Sequence, residues 1–234
     1  MVVIDELLDD AALMSFEHQE HMISVLGEHR WDVTFRPPSF TFTSERAFKC
    51  SRFHVLGSAA PGPRSWLWSW ANEAADYPAE VTELAASVRD YGVAHGISLL
   101  AEGEVPFADV PGSPSDPGRV AWFMGELAKA VTGTWTSYTG DAGRGTRLAM
   151  LVEHPVLDLD EPDAASMSRV VDAVFRLQLP DHRRALHSYA VRRGLAVAAD
   201  QDHLRMSGPG FETVVRFTVD GLIAALSASR RPEG

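Results

Sequence analysis

The chain has 234 residues, 45% of them hydrophobic and 23% charged, and a formal charge of −11. That length and composition suit a globular protein of one large or two small domains. The acidic balance disfavours nucleic acid and anionic membrane as partners, since binding either relies on a basic surface, and no run approaches the ~18–20 apolar residues of a membrane span.

The start, Met1-Val2-Val3-Ile4-Asp5-Glu6, turns acidic at once and lacks the basic segment of a signal peptide, so a cytoplasmic location is expected. Cys50 is the single cysteine. No intrachain disulfide is possible, which fits a reducing compartment, and its strand-like setting suits a small buried filler better than a catalytic thiol. Nineteen arginines against two lysines hint at a bacterial genome rich in G and C.

Residues 4–29 carry Leu7, Leu8, Ala11, Met14, Met22, Val25 and Leu26 near a 3.6-residue period, with Asp5, Glu6, Asp9 and Asp10 where a helix dipole favours anions. A helix is expected there, ending at Gly27. Residues 31–35, 40–43, 48–58 and 65–71 alternate apolar and polar side chains between proline- and glycine-bearing turns, the pattern of a four-stranded antiparallel meander. Pro78 suits the first turn of a helix over 78–95, residues 97–107 read as an apolar connection, and a further helix is expected over 117–131. Segments 133–140 and 146–153 form a hairpin around Gly140-Asp141-Ala142-Gly143-Arg144-Gly145; that loop lacks the Lys-Ser/Thr of a phosphate-binding loop and joins two strands.

Beyond the acidic stretch 158–163, helices are expected over 163–177 and 181–193, then strands at 195–198, 203–206 and 211–219. Asp220-Gly221 between Phe217-Thr218-Val219 and Leu222-Ile223-Ala224 signals a tight hairpin. The fold class is therefore α+β: antiparallel hairpins packed against helices over 1–155, and a smaller helix-helix-hairpin block over 156–234, either separate or packed as one unit with the first.

The chain is organised around Arg64-Ser65-Trp66-Leu67-Trp68-Ser69-Trp70-Ala71-Asn72, which holds three of the six tryptophans. In an extended strand Trp66, Trp68 and Trp70 share one face. Each indole can bury ~150–250 Å², so leaving all three in water would cost several kcal/mol at about 25 cal/mol per Å². Their cover is the protein's own helices, a bound small molecule or another chain, and the residues leave that choice open.

Leu56-Gly57-Ser58, the tryptophan strand ending in Asn72, and Tyr91-Gly92 with His95-Gly96-Ile97 resemble the pattern of the bacterial family DUF6882. Glu17-His18-Gln19, Trp31-Asp32 and the small hairpin agree with it in order and spacing over about residues 5–153. The resemblance implies a recurrent bacterial domain of unassigned activity and transfers no catalytic residue.

If the tryptophan face lines a cleft, Arg64 and Asn72 at the strand ends, with Arg52 and His54 on the neighbouring strand, supply polar contacts for a ligand in an apolar pocket; alternatively Asn72 ties down the strand end by bonding backbone. His18 and His21 stand three apart on the first helix beside Glu17 and Glu20. They would need a third ligand, for which His54, His95 and Asp76 are candidates, to hold a divalent metal. Such spacing is cheap to find by chance, and a solvated helix face accounts for the pair more simply. The leading expectation is a noncatalytic bacterial protein that binds a small molecule or a protein partner through an aromatic sheet face, with no cofactor. Two alternatives stand beside it: a metal-dependent hydrolase using His18 and His21, and an acidic immunity- or antitoxin-like protein that masks a basic partner.

Overall fold

The structure, a computed structural model, describes residues 4–43 and 47–230. These residues group into two compact units, one of residue 4 with the described part of 19–158 and one of 5–18 with 159–230. The first helix, α1 (Ile4–Leu26), thus contributes its first part to the second unit and its end to the first. No described helix is long and apolar enough to cross a membrane.

In the first unit β1 (Arg30–Phe35), β2 (Pro38–Thr43) and β3 (Phe48–Lys49) form an antiparallel sheet in that order. A second antiparallel sheet has the order β6-β5-β4-β8-β7, built from β4 (Arg52–Ala60), β5 (Ser65–Trp68), β6 (Glu104–Pro106), β7 (Ser137–Asp141) and β8 (Arg147–Glu153). Helices α2 (Ala79–His95) and α4 (Pro117–Thr132) pack on β4, and α4 also on β8. Alternation along β4 and β8 sends Phe53, Val55, Met150 and Val152 into a core with Met22 and Leu26 of α1, Phe40 and Phe42 of β2, and Cys50.

The expected four-stranded meander is corrected: it divides between two sheets. Cys50 N–H still bonds to Phe40 C=O in the first sheet, whereas the next residue, Ser51, bonds to Glu153 C=O in the second. One residue step thus hands the chain from β2 to β8, which pairs along β4. The apolar connection over 97–107 is also more ordered than expected. It contains α3 (Ser98–Ala101) and the edge strand β6, where a proline is tolerated because one side needs no ladder donor.

In the second unit α5 (Ala164–Arg176) packs on β11 (Phe211–Phe217), and α6 (His182–Arg192) on β9 (Ala196–Ala199) and β10 (His203–Gly208). With β12 (Ile223–Arg230) these strands make an antiparallel sheet ordered β12-β11-β10-β9. Asp163 and Ser166 form a reciprocal capping box at the start of α5, and the Asp181 carboxylate accepts the Arg184 N–H to cap α6. The Asp220-Gly221 turn joins β11 to β12, with Gly221 at φ +78°. Its amide-side neighbours anchor the turn to α6: Arg183 N–H bonds to Gly221 C=O at 3.1 Å, and Ile223 N–H donates to His182 Nδ1 at 3.2 Å.

Candidate functional site

The tryptophan strand is an inner strand, between β4 and β6, but it stops at Trp68. Residues 69–71 turn into a 3-10 helix, so Trp70 does not continue the alternation expected of it. The cause lies across the ladder. Ser69 Oγ–H donates to Val55 C=O at 2.5 Å, capturing a carbonyl beside the bulge where β4 shifts register between Val55 and Gly57. The same bulge leaves Leu56 unpaired and returns Gly57 and Ala59 to the face of His54. Gly57 stands opposite Trp68 and Ala59 opposite Trp66, so His54, Trp66 and Trp68 share one face of the sheet.

Both strand indoles are 0% exposed and meet edge to face at 5.3 Å between ring centroids. Trp68 Nε1–H donates to Leu99 C=O of α3 at 3.0 Å. The Trp66 ring crosses β4 over Gly57, where a Cβ would sit 2.6 Å from Cζ2 of the indole and 2.4 Å from Leu67 O. Glycine is required there for close approach alone. Trp70 is half-buried, with the Arg89 guanidinium 5.3 Å from its ring centroid.

His54 is buried, and its Nε2 lies 3.1 Å from Glu153 Oε1. His54 Nδ1, Trp66 Nε1 and Trp70 Nε1 are buried atoms with no hydrogen-bond partner. Arg64 is exposed in the β4–β5 turn at φ +56°, and its carbonyl receives Phe107 N–H. The Asn72 side-chain oxygen accepts Ala75 N–H at 3.2 Å, the backbone-bonding role. Arg52 pairs with Glu83 of α2 at 3.2 Å. The ligand-binding candidates therefore fall into two sets: His54, Trp66 and Trp68 gathered on one covered face, and Arg64, Trp70 and Asn72 in the turns at either end of β5.

The proposed metal ligands have other engagements. His21 Nε2 hydrogen-bonds Val156 C=O at 3.0 Å, His95 stacks on Tyr91 and bonds to its carbonyl, and Asp76 pairs with Arg36. Among the described residues no group of three or more His, Cys, Asp and Glu side chains is placed to hold a metal. Burial pushes the Cys50 thiol up to about 12, which makes it a poor nucleophile.

Reasoning from the sequence missed the polar interior of the second unit. Tyr189, 0% exposed, donates its O–H to Glu17 Oε2 at 2.8 Å, and the same oxygen lies 3.1 Å from Arg193 Nε. Arg184 binds the Asp10 carboxylate through Nε and Nη2, both at 2.8 Å. Next to this pair Asp9 is buried; desolvation, then the Asp181 charge, raise its pKa from 3.8 to about 6 against the opposing pull of Arg184. Helical spacing relates Asp9 to Asp5 and Asp10, but contact with residues 170 positions away leaves no local signal.

Also missed was the open side of β12, for which the legible sign is the uncharged run Gly221-Leu222-Ile223-Ala224-Ala225-Leu226-Ser227-Ala228-Ser229. Among the described residues β12 pairs with β11 alone. Leu226 stands opposite Val215, on the face that the helices cover; Val215 is 0% exposed and Leu226 49%. The helix layer ends one strand short. Phe175 of α5, 54% exposed, packs edge to face on His182, the residue that receives Ile223 N–H.

No curated protein and no solved structure matches the chain. A model of DUF6882, a family of unknown function, matches residues 5–155, and the chain belongs to that family.

Proposed function

We propose that the protein is a noncatalytic binding protein that acts through protein–protein contact, with the open side of β12 as its contact surface. The observation that carries the reading is a strand of eight residues with a backbone neighbour on one side only and an exposed leucine on its inner face. Such an edge has a row of N–H and C=O groups matched to an added strand. Natural edges are blunted by lysine, proline or inward-pointing charge, and residues 221–229 contain none of these. The noncatalytic part of the reading is supported by the engagement of the reactive groups: a buried thiol, His21 on a backbone carbonyl and Glu17 held by Tyr189 and Arg193.

Fluorescence anisotropy with a labelled peptide copying residues 221–229 tests this reading. Saturable binding that is lost in Leu226→Lys is expected; an unchanged anisotropy at all protein concentrations would overturn it.

A second reading, binding of a small hydrogen-bond acceptor at the covered face of the five-stranded sheet, is favoured by the two unpartnered nitrogens there, His54 Nδ1 and Trp66 Nε1. Native mass spectrometry of chain purified without denaturation checks it. A mass excess over 25.6 kDa that disappears in Trp66→Phe is the expected result.

A further inference from the structure

We infer that the strand that pairs with β12 is β12 of a second copy, antiparallel about a two-fold axis near the middle of the strand. This rests on the reading of β12 as a binding edge and names its occupant. Antiparallel pairing of a strand with itself is isologous: every residue meets its symmetry mate's complement, and the association closes at two copies. Among the described residues the other edge of the same sheet, β9, has four residues against the eight of β12. A β9–β12 contact would leave half of β12 unpaired and would propagate head to tail instead of closing.

Charge points the same way. In a chain of net charge −11, two copies repel each other over most of their surfaces. Residues 221–229 carry no charge, and antiparallel pairing about the middle sets Arg230, the one charged residue of the strand, against the uncharged start of the other copy's strand, so like copies meet without opposing like charges. Its side chains fit a close approach: Ala225, Ser227 and Ser229 lie on the outer face opposite Arg216, Val214 and Glu212, and Leu226 and Ala228 lie on the inner face.

The edge is also held ready. The ladder to β11 fixes its register, and His182 and Arg183 of α6 fix its start at the turn, so little order remains to be gained on pairing. Strand pairing alone covers a small area, and a stable interface needs about 1,000 Å² or more in total. Leu226, Leu222 and Phe175, each more than a third exposed, are the apolar side chains of this region that pairing can cover.

Light scattering of the full chain after size exclusion, from about 1 to 200 µM, is the test. Wild type is expected at twice the 25.6 kDa chain mass in the upper part of that range. Leu226→Lys/Ser227→Lys, at exposed positions that leave the core untouched, is expected to run as a monomer with association weakened at least ~100-fold.

A second measurement uses Ser227→Cys, oxidised with copper phenanthroline. It is expected to form a disulfide-linked dimer, while Ala198→Cys on β9 stays monomeric; buried Cys50 does not interfere. A wild-type monomer throughout, with the 221–229 peptide still bound, would overturn self-pairing and leave the edge reading standing. A monomer that also ignores the peptide would overturn both. A dimer indifferent to the double lysine variant and not cross-linked through position 227 would also overturn self-pairing.

Discussion

The central strand of the five-stranded sheet, β4, runs between β5 and β8 and buries side chains on both faces, Phe53 and Val55 on one and His54 and Ala59 on the other. The last strand of the four-stranded sheet, β12, has one neighbour, and Leu226 is half exposed beside a fully buried Val215. Composition explains the contrast. All six tryptophans fall in the first unit and none in the second. The first unit draws helices over the buried indoles of its sheet; in the second, where Tyr189, Phe211 and Phe217 are buried without any tryptophan, the last strand carries only alanine, serine, leucine and isoleucine ahead of Arg230 and can be left uncovered at smaller cost. What a sheet leaves open depends on how much apolar surface it must hide, and the open part is where association can occur.

That contrast breaks most visibly at Trp66. Trp66→Ala removes a fully buried indole beside Trp68 and is expected to destabilise the first unit by about 3–5 kcal/mol. Because tryptophan emission reports on the first unit alone, chemical denaturation followed by fluorescence should shift strongly. Coincident, unshifted transitions would show that the ring is not the core element its burial implies.

A smaller effect, of opposite sign, is expected in the second unit at Asp9. Its folded pKa of about 6 lies above the usual 3.8, so the folded state holds an extra proton between those values. The stabilisation from that proton is complete below about pH 4 and lost as pH rises through about 6. Asp9→Asn should therefore stabilise the second unit at pH 7.5 by about 1–3 kcal/mol and flatten its pH dependence between 4 and 7. Thermal melts by circular dichroism at several pH values read both effects.

At the start of α5, Asp163→Ala removes one half of the capping box and should cost about 1 kcal/mol, seen as a lowered melting temperature with tryptophan emission unchanged. Least of all in stability, Leu226→Lys should stay within about ±0.5 kcal/mol of wild type while abolishing peptide binding. A large loss of stability there would make β12 part of a closed core and erase the difference between the two sheets.

Much of the fold is legible along the chain because the signals are local. The helices over 79–95, 117–132, 164–176 and 182–192 follow from apolar period, a proline or aspartate at the start and a glycine at the end of three of them. The hairpin at Asp220-Gly221 follows from turn chemistry, but as a five-residue connection over 218–222 with positive φ at Gly221 and not at Asp220, in place of the tight two-residue turn expected. The candidate site is legible only in part. Alternation places Trp66 and Trp68 on one face, but the end of the strand at Trp68 depends on Ser69 meeting Val55 across a bulge, a contact between residues 14 apart.

Residue order alone therefore settles an α+β chain, its helices and hairpins, and the shared side of two buried indoles, since each depends on spacing within a few residues. Three things were decided only by the tertiary structure: the handover of the chain between sheets at Cys50 and Ser51, the enclosure of the tryptophans, and the open side of β12. Each depends on which distant segment arrives as a neighbour. Strand patterns record which way side chains point, not which backbone lies alongside.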